Sequence, residues 1–545
     1  MKEVKTYTLS QLKLDKTPRP QQIELLEFVK QSIGNNKKYC MIDAPTGIGK
    51  SYFTVMFMDW FKNNYDPYCT FDILTDSKIL QEQYTKDYDF MNSLWGKGSY
   101  ECETYQTDCA SGMEFCKVKG ENCEHCPYKE AKWKFDNGDI SLTNFHLFLT
   151  YMLYLPGAWK RSSRVLIVDE AHNFESVTCD FITTKISKPL LKINGFTDEE
   201  ISKTYEIFGN NPEDLTIKEF AEKLNNEFLN IAKTVINRLS REGEDGDVKA
   251  MKKLQSLANN YLKWEQLLNE YTKLPDNWIL ETELIKKYKD NKISEQYYEF
   301  TAQPVWADKY LAEKVWDKYD YILFMSGTIL DKNMFSEMNG LDVNLSAYKS
   351  IDSPFHKDNR PIYYFYNLGK QTYNTKEITW KNQLPILKKI VKKHKNEKGI
   401  IHTANYEIQS WVENSILENR ILTHQTDNRN EVLNMHYQSD LPTILVSPSM
   451  ITGVDLYEDF SRHQTLIKIP YPNLGSKKIK KRMETKKNWY NWKTVVDLIQ
   501  SYGRSIRSKD DTANTYILDG SFSNILRFND NILPNWFKEA VIWIK

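Results

Sequence analysis

The clearest structural signal in this chain is a glycine-rich stretch, Ala44-Pro45-Thr46-Gly47-Ile48-Gly49-Lys50-Ser51. It follows an apolar run at residues 39–42, which predicts a strand, and a helix is expected to start near Ser51. Such an arrangement forms a phosphate-binding loop, because the backbone N–H groups and the helix N-terminus point at phosphate oxygens. We expect Lys50 to reach the terminal phosphates of a nucleotide and Ser51 to hold Mg²⁺. Ala44 replaces the first glycine of the pattern.

The composition is that of an ordinary globular protein. The chain has 545 residues, 41% hydrophobic and 27% charged, and about two to four domains are expected at this length. Lys+Arg and Asp+Glu number 73 each, which limits any nucleic-acid site to a local groove. We see neither a membrane-spanning apolar stretch nor a signal peptide, so we expect a cytoplasmic protein with no membrane partner. The abundance of Lys, Asn, Ile and Tyr is typical of an AT-rich genome, so we expect the protein to occur in a bacterial or phage-infected cell.

A second motif completes the nucleotide site. Residues 165–168 are apolar and predict a buried strand, which ends in Asp169-Glu170-Ala171-His172. A carboxylate at such a strand end can hold Mg²⁺, directly or through water, and its neighbour can orient and deprotonate an attacking water. We assign these two roles to Asp169 and Glu170. Adjacent carboxylates after a strand are common, but their position after a phosphate loop makes this pair specific.

The order of predicted elements indicates an α/β fold with two units. Helical and strand patterns alternate between about residues 21 and 170, as they do in a parallel sheet covered on both faces. Alternation resumes after about residue 360, with strands predicted at 399–402, 443–446, 464–469 and 515–518. Two segments interrupt the first unit, one rich in cysteine and one long and charged. The charged segment, rich in Lys, Glu, Asn and Leu, is predicted as a largely helical insertion.

The cysteine-rich stretch predicts a metal site. Five of the eight cysteines fall within 25 positions, namely Cys102, Cys109, Cys116, Cys123 and Cys126. In a cytoplasmic chain such clustering predicts metal binding before disulfides, and the last two have a chelate spacing that suits zinc and an iron–sulfur cluster equally. Four of the five recur every seven residues, so on a helix successive sulfurs would lie about 10 Å apart. Because that is too far to share one centre, Gly112 and Gly120 favour a folded loop.

Together with further motifs, these features resemble the XPD/DinG-like iron–sulfur DNA helicases of superfamily 2. The resemblance covers nearly the whole chain in order. Its most specific motif is close to the family's Gln-x-x-Gly-Arg-x-x-Arg and stands here as Gln500-Ser501-Tyr502-Gly503-Arg504-Ser505-Ile506-Arg507. The other matching motifs are Arg19-Pro20-Gln21-Gln22, Leu74-Thr75-Asp76-Ser77, Thr143-Asn144-Phe145-His146, Met325-Ser326-Gly327-Thr328, Ser353-Pro354-Phe355, Thr452-Gly453-Val454-Asp455 and Pro470-Tyr471-Pro472.

The resemblance implies two RecA-like motor domains that bind ATP and Mg²⁺ in the cleft between them. The first domain would contribute the loop residues 44–51 and Gln22 as the reader of adenine. The second would contribute Asp455, Arg504 and Arg507. Phosphoryl transfer builds negative charge on the γ-phosphate, and an arginine from the facing domain stabilises that charge.

The resemblance also implies residues that couple ATP hydrolysis to DNA. They are Thr75, His172, Ser326, Gly327, Thr328, Gly453 and Gln500. Closure of the cleft on ATP and its opening after hydrolysis would move single-stranded DNA across both domains, in the 5′ to 3′ direction. The strand would be held mainly by its phosphates.

For the cysteine segment the resemblance implies a 4Fe–4S cluster. Cys102 resembles the family's first ligand, and Cys126, followed by proline, resembles the last. Cys123 is the third firm candidate. The fourth ligand is Cys116 or Cys109, with Cys116 preferred. Spacing alone leaves zinc open, so iron is implied only by the resemblance.

The implied domain order is a first motor domain in three parts, with two insertions, followed by a second motor domain. The first motor domain comprises 1–96, 131–174 and 301–350, interrupted by an iron–sulfur domain at 97–130 and a helical arch-like insertion at 175–300, and the second comprises 351–545. The implied partners of the chain, expected to be a monomer, are single-stranded DNA and forked duplexes, with RNA–DNA hybrids left open.

The sequence supports two further predictions. The alternative function is a nucleic-acid-binding remodelling ATPase whose cysteines hold structural zinc and which does not unwind processively. Separately, the basic run at 477–482 is predicted as an exposed loop near DNA phosphates.

Overall fold

The computed structural model describes residues 17–119, 125–209, 212–289, 292–450, 454, 456, 458–506 and 511–545. Its frame consists of two seven-stranded sheets in which all neighbouring strands are parallel. We call the parts built on these sheets the first unit and the second unit. The α/β fold with two such units, expected from the sequence, is confirmed. Within the described ranges, no helix is both long and apolar enough to cross a membrane.

The first unit begins with a series of alternating helices and strands. These are α1 (Pro20–Gly34), β1 (Tyr39–Asp43), α2 (Lys50–Asn64), β2 (Phe71–Thr75), α3 (Lys78–Asp87), β3 (Asn92–Ser93), β4 (Glu101–Cys102), β5 (Thr107–Asp108), α4 (Cys109–Lys119), α5 (Pro127–Asn137), β6 (Ile140–Asn144), α6 (Phe145–Leu149), β7 (Val165–Asp169), α7 (Phe174–Ile182) and β8 (Thr184–Ile186). Every residue of β1, β2, β6 and β7 is buried, as expected for parallel strands covered on both faces.

The helix α4 corrects one expectation for the cysteine segment. A folded loop was predicted around Gly112, but this glycine lies inside α4. A Cβ atom at position 112 would lie 2.5 Å from Cys102 Sγ, so the absence of a side chain lets the helix approach Cys102 closely. Further along α4, Phe115 is buried and stacks on Tyr105. Tertiary packing therefore keeps the segment helical although glycine disfavours a helix locally.

Residues 187–307 are inserted before the first sheet is complete. They form α8 (Lys188–Ile193), α9 (Asp198–Phe208), α10 (Ile217–Lys223), α11 (Leu229–Glu244), α12 (Val248–Lys273), β9 (Trp278–Lys289) and β10 (Lys292–Pro304). The largely helical prediction fits α8–α12 but is wrong for β9 and β10, which form an antiparallel hairpin that also pairs with β8. Phe300 of β10 is buried against Phe208 and Phe220, contacts that the local sequence does not reveal.

The chain then returns to complete the first sheet. The returning elements are α13 (Asp308–Lys314), β11 (Tyr321–Ser326), α14 (Lys332–Asn339) and β12 (Ser346–Ser350). The strand order is β12-β1-β11-β7-β2-β6-β3, so β11 lies between β1 and β7. In this register Asp43 lies beside Ser326, and Met325 lies beside Asp169. Motifs that are remote in sequence therefore meet at the carboxyl edge of one sheet.

The second unit repeats the alternation. It contains β13 (Ile362–Phe365), α15 (Lys376–Lys393), β14 (Gly399–His402), α16 (Tyr406–Ser415), β15 (Ile421–Thr423), α17 (Arg429–Gln438), β16 (Ile444–Ser447), β17 (His463–Leu466), α18 (Lys477–Thr485), α19 (Trp489–Tyr502), β18 (Asn514–Ile517), α20 (Phe522–Phe528), α21 (Asn535–Lys538) and β19 (Val541–Ile544). The strand order is β15-β16-β14-β17-β18-β13-β19. The four strands predicted from sequence correspond to β14, β16, β17 and β18.

The helix α18 corrects the second expectation, because the basic run is helical and one of its side chains is buried. Arg482 donates hydrogen bonds to both carboxylate oxygens of Glu175, at 2.8 and 3.1 Å, and to the backbone oxygen of Val305 at 2.8 Å. The rings of Trp306 and Trp489 lie 4.4 and 5.2 Å from its guanidinium carbon. This buried ion pair joins α7 of the first unit to the second unit.

Candidate nucleotide site and cysteine cluster

The predicted phosphate loop connects β1 to α2. Gly47 and Gly49 have φ angles of +84° and +83°, in the left-handed region that favours glycine, and α2 begins directly after Gly49. A Cβ at Gly49 would lie 2.8 Å from Gln22 Nε2. The loop therefore has the geometry predicted for residues 44–51, with backbone N–H groups at a helix N-terminus.

Two side chains from outside the loop contact its backbone. Gln22 donates from Nε2 to the carbonyl oxygens of Ile48 and Gly49, at 3.0 and 3.1 Å, and its Oε1 accepts from the Arg19 N–H at 2.8 Å. Both ends of the Gln22 amide are thus bonded to the protein, and the side chain braces the loop. The ring of Phe355 lies where a Cβ at position 47 would be, at 2.0 Å.

The two predicted catalytic carboxylates follow β7 and face Lys50. Lys50 Nζ lies 3.2 Å from Glu170 Oε1. Glu170 has a φ of +53°, an uncommon value for a residue other than glycine, and strained backbone of this kind concentrates at functional sites. Asp169 is buried and accepts a hydrogen bond of 2.9 Å from the Tyr84 hydroxyl.

The electrostatic environments of these two carboxylates differ. Burial raises the pKa of Asp169 above its usual range, although Lys50 opposes this effect. Burial acts in the same direction on Glu170, but the positive charge of Lys50 and the hydrogen bond from it outweigh burial and lower the pKa of Glu170. Glu170 is therefore held ionised by its contact with the loop lysine.

A chain of side-chain contacts leads from Glu170 to the second unit. His172 Nδ1 lies 3.4 Å from Glu170 Oε2 and 2.8 Å from Ser326 Oγ. Ser326 Oγ lies 3.5 Å from Thr328 Oγ1, which accepts a hydrogen bond of 2.7 Å from Gln500 Nε2. Burial lowers the pKa of His172 to about 3, so the imidazole is neutral. Four of the predicted coupling residues are thus brought together.

Arg504 lies at the end of this chain. Its Nη2 donates to Gln500 Oε1 at 2.6 Å and its Nη1 to the backbone oxygen of Val454 at 3.2 Å. The other predicted residues of this side, Gly453, Asp455 and Arg507, lie outside the described residues.

Of the two remaining predicted coupling residues in the described ranges, Gly327 lies close to the phosphate loop and Thr75 lies at the end of β2. A Cβ at Gly327 would be 3.5 Å from the backbone oxygen of Ala44. Thr75 is fully buried and its hydroxyl donates to the backbone oxygen of Ser77 at 3.2 Å, so it shapes the turn after β2.

Two contributors to the site were missed by sequence reasoning. The buried hydroxyl of Tyr84 lies 3.5 Å from Thr54 Oγ1 as well as bonding Asp169, and burial keeps its pKa well above 10. Asp76 accepts a hydrogen bond of 3.4 Å from Asn173, and burial, with Glu170 nearby, raises its pKa to about 6. No sequence motif points to Tyr84, which the sequence predicts only as part of a helix, whereas Asp76 lies within the motif Leu74-Thr75-Asp76-Ser77.

The described cysteines of the predicted metal site converge in part. Cys109 Sγ lies 3.9 Å from Cys126 Sγ, and Cys102 packs against Gly112, one turn from Cys109 on α4. Cys116 lies seven residues beyond Cys109 on this helix, about 10 Å along its axis. Cys123 lies outside the described residues.

Three of these thiols share one small core. Cys102, Cys109 and Cys126 pack together with the buried rings of Tyr128 and Phe135. Burial raises the pKa of Cys109 to about 11. In the described part of the chain, no three His, Cys, Asp or Glu side chains are arranged around a single ion position. The three thiols nevertheless supply a soft donor set of the kind that iron–sulfur clusters and zinc require.

Two family models match the chain. The model described as "Helicase C-terminal domain" matches residues 387–540, and the one described as "Type III restriction enzyme, res subunit" matches residues 15–197. Compared by sequence with curated proteins, the chain has no match.

Several solved structures are similar to this one along nearly its whole length. A structure titled "XPD_Helicase" is 16% identical, with a TM-score of 0.66, over 97% of this chain and 100% of that chain. The "Structure of S. tokodaii Xpd4" is 14% identical, with a TM-score of 0.61, over 97% and 100% of the two chains. At these identities the likeness shows the fold.

Proposed function

We propose that this chain, which has the XPD-like fold, is an ATP-dependent DNA helicase of superfamily 2. Movement along single-stranded DNA from 5′ to 3′ and separation of a forked duplex are part of this proposal, and the direction rests on the family resemblance alone. RNA–DNA hybrids are a further candidate substrate.

The observation that carries the proposal is the contact path between the two units. It connects Glu170, beside the phosphate loop, with Arg504 in the second unit through His172, Ser326, Thr328 and Gln500. A path of this kind links the chemistry at the nucleotide to the relative position of the units, which is what a motor requires.

The residues on the first unit suit ATP hydrolysis. Lys50 is poised to exchange its contact with Glu170 for the terminal phosphates of the bound nucleotide. Glu170 is then free to accept a proton from the attacking water. Gln22 contacts the loop backbone and would read adenine by exchanging one of these hydrogen bonds.

The implied Mg²⁺ fits the residues present. Ser51, at the start of α2, and the buried carboxylate of Asp169, oriented by Tyr84, would hold it. The ion would supply neutralising charge at the phosphates. On the second unit, Arg504, with Arg507 and Asp455, would stabilise the charge that develops on the γ-phosphate when the units close.

For the domain organisation we propose the division expected from sequence. The first motor domain would comprise 1–96, 131–174 and 301–350, with the cysteine domain at 97–130, the arch-like insertion at 175–300 and the second motor domain at 351–545. Contacts of α4 with α11 and α12 support a joint role for the two insertions, since they bring the cysteine segment against the helical insertion.

For the cysteine site we propose a 4Fe–4S cluster held by Cys102, Cys109, Cys123 and Cys126. The sulfur contact between Cys109 and Cys126 favours Cys109 over Cys116 as the fourth ligand. The cluster would fix the segment that packs against the helical insertion.

The alternative function has one observation in its favour. In a tetrahedral zinc site with Zn–S bonds of about 2.3 Å, neighbouring sulfurs are about 3.8 Å apart. Cys109 Sγ and Cys126 Sγ are 3.9 Å apart. Structural zinc in a remodelling ATPase would match this spacing. The content of iron, sulfide and zinc per chain, measured after anaerobic purification, distinguishes a zinc site from an iron–sulfur cluster.

The proposed function is tested by ATP hydrolysis with and without single-stranded DNA. We expect the wild-type chain to hydrolyse ATP, and single-stranded DNA to stimulate this hydrolysis. Lys50→Ala should abolish hydrolysis, and Glu170→Gln should slow it by about 100-fold or more. Glu82→Gln, on the exposed face of α3, is the matched control and keeps wild-type turnover. Normal turnover in either site variant would contradict the assignment.

A further inference from the structure

We propose that a pocket in the second unit binds a nucleobase, with the adjoining phosphate on a lysine. This inference rests on the proposed function, because it assigns a base-binding position to the strand that the helicase would hold. The pocket has a volume of about 190 Å³, and the residues that matter here are Tyr373, Lys376, Trp380, Asn405, Glu407 and Lys468.

The location of the pocket is that of a ligand site in a parallel sheet. Asn405 follows β14 and caps α16 by accepting from the Ile408 N–H at 2.8 Å. Lys468 follows β17, which neighbours β14 in the sheet. Ligands of open α/β sheets bind outside the carboxyl ends of the strands, where this pocket lies.

The backbone beside the pocket is strained. Ala404, between β14 and Asn405, has a φ of +63°, a conformation that costs free energy for a residue with a side chain. Such strain is retained where surrounding structure fixes a functional geometry. It adds an observation independent of the lining side chains.

Two of the residues that line the pocket, Tyr373 and Trp380, are aromatic. Trp380 stacks on Trp411 with ring centroids 5.2 Å apart, which fixes its plane. Its indole N–H is buried and lacks a hydrogen-bond partner within the described ranges. Tyr373 is 88% exposed, so its ring is accessible to a ligand. A planar base stacked on the Tyr373 ring would bury this ring.

The polar groups of the pocket suit a nucleotide. Lys376 is paired with Glu407, and its Nζ lies 5.5 Å from the Tyr373 ring centroid and 5.8 Å from that of Trp380. Lys468 makes no ion pair with any described carboxylate, which leaves its charge available to a phosphate. Pockets for drug-sized ligands span about 300–1,000 Å³, so this smaller one suits one ring system with its phosphate outside.

The source of the base is either the bound strand or a free nucleotide, since both present the same chemistry. We measure the affinity of the full chain for a labelled oligothymidylate and for an abasic deoxyribose-phosphate strand of the same length. Tyr373→Ala should weaken binding of the oligothymidylate about fivefold or more and leave binding of the abasic strand unchanged. Lys468→Met should weaken binding of both strands.

Tyr68→Ala is the matched control, because Tyr68 is 92% exposed and lies in the first unit. It should bind both strands as the wild type does. Calorimetry with thymidine monophosphate, the phosphate loop being saturated with a non-hydrolysable ATP analogue, identifies the source. If the wild type binds thymidine monophosphate and Tyr373→Ala does not, the pocket is a site for free nucleotides. If the wild type does not bind thymidine monophosphate, the pocket is assigned to the bound strand.

Two negative results are distinguishable. If the wild type binds and unwinds DNA but Tyr373→Ala affects neither the oligothymidylate nor the mononucleotide, the pocket inference is wrong and the helicase proposal stands. If the wild type neither binds single strands nor unwinds a fork, the helicase proposal itself fails.

Discussion

Gln500 donates a hydrogen bond of 2.7 Å to Thr328, and this contact crosses from the second unit to the first. The same amide accepts from Arg504 at 2.6 Å, so one side chain bonds both the Ser-Gly-Thr motif and the proposed arginine finger. Since His172 links Ser326 with Glu170, a change in either unit is transmitted through a short series of polar contacts. Gln500 is therefore the residue through which we expect the units to be coupled.

Replacing this amide should uncouple ATP hydrolysis from DNA. In Gln500→Ala the bonds to Thr328 and Arg504 are lost, and we expect the stimulation of hydrolysis by single-stranded DNA to fall at least about fivefold. Gln438→Ala, on an exposed position at the end of α17, is the control. Undiminished stimulation in Gln500→Ala would show that the path carries no coupling.

The second unit should lose stability in acid. Burial lowers the pKa of His402 and of His436 to about 4, and also lowers that of His463. An unfolded histidine has a pKa of about 6.5, so the unfolded state takes up protons first as the pH falls. Stability from these neutral histidines is full above about pH 6.5 and is lost as the pH falls towards 4.

This expectation is tested by thermal unfolding between pH 7.5 and 4.5. We expect the midpoint to fall with pH, and the fall to be smaller in His436→Gln. His356→Gln should match the wild type, because His356 is exposed. An equal pH dependence in all three proteins would mean that buried histidines do not cause it.

The junction of the units depends on the buried pair of Glu175 and Arg482. Glu175→Gln leaves the guanidinium without its counter-charge, and the loss of one partner of a buried pair costs about 3–5 kcal/mol. We therefore expect a lower midpoint of thermal unfolding. Asp180→Asn, which removes an exposed partner of Lys478 at 3.7 Å, should have little effect. Similar midpoints for the two variants would contradict a supporting role for the buried pair.

Metal content should distinguish two cysteines of α4. Cys109→Ser removes the thiol 3.9 Å from Cys126 Sγ, and we expect it to lose metal and unwinding activity. Cys116→Ser, two helical turns away, should retain both. Iron, sulfide and zinc per chain provide the measurement, and the reverse pattern would restore Cys116 as the ligand.

The sequence predicted the parts of the site that are local in the chain. The loop around Gly47 and Gly49 needs particular residues at fixed spacing, and so does the strand that ends in Asp169. The contacts between Gln500 and Thr328, or between Arg482 and Glu175, join residues more than 170 positions apart. These contacts form only because the two units are positioned against each other, and a local sequence pattern does not predict that arrangement.

Secondary structure was mispredicted where distant partners decide it. The hairpin of β9 and β10 is rich in Lys and Glu, which favour helices, but β10 pairs with β8 more than a hundred residues earlier and buries Phe300. The helix α4 contains Gly112 because Cys102 packs against it.

Strand displacement from a forked DNA duplex tests the central claim most directly. With ATP, the wild-type chain should release the displaced strand from a fork with a 5′ single-stranded tail, and Glu170→Gln should release none. No displacement by a preparation that hydrolyses ATP in response to single-stranded DNA would contradict helicase activity and favour the remodelling ATPase.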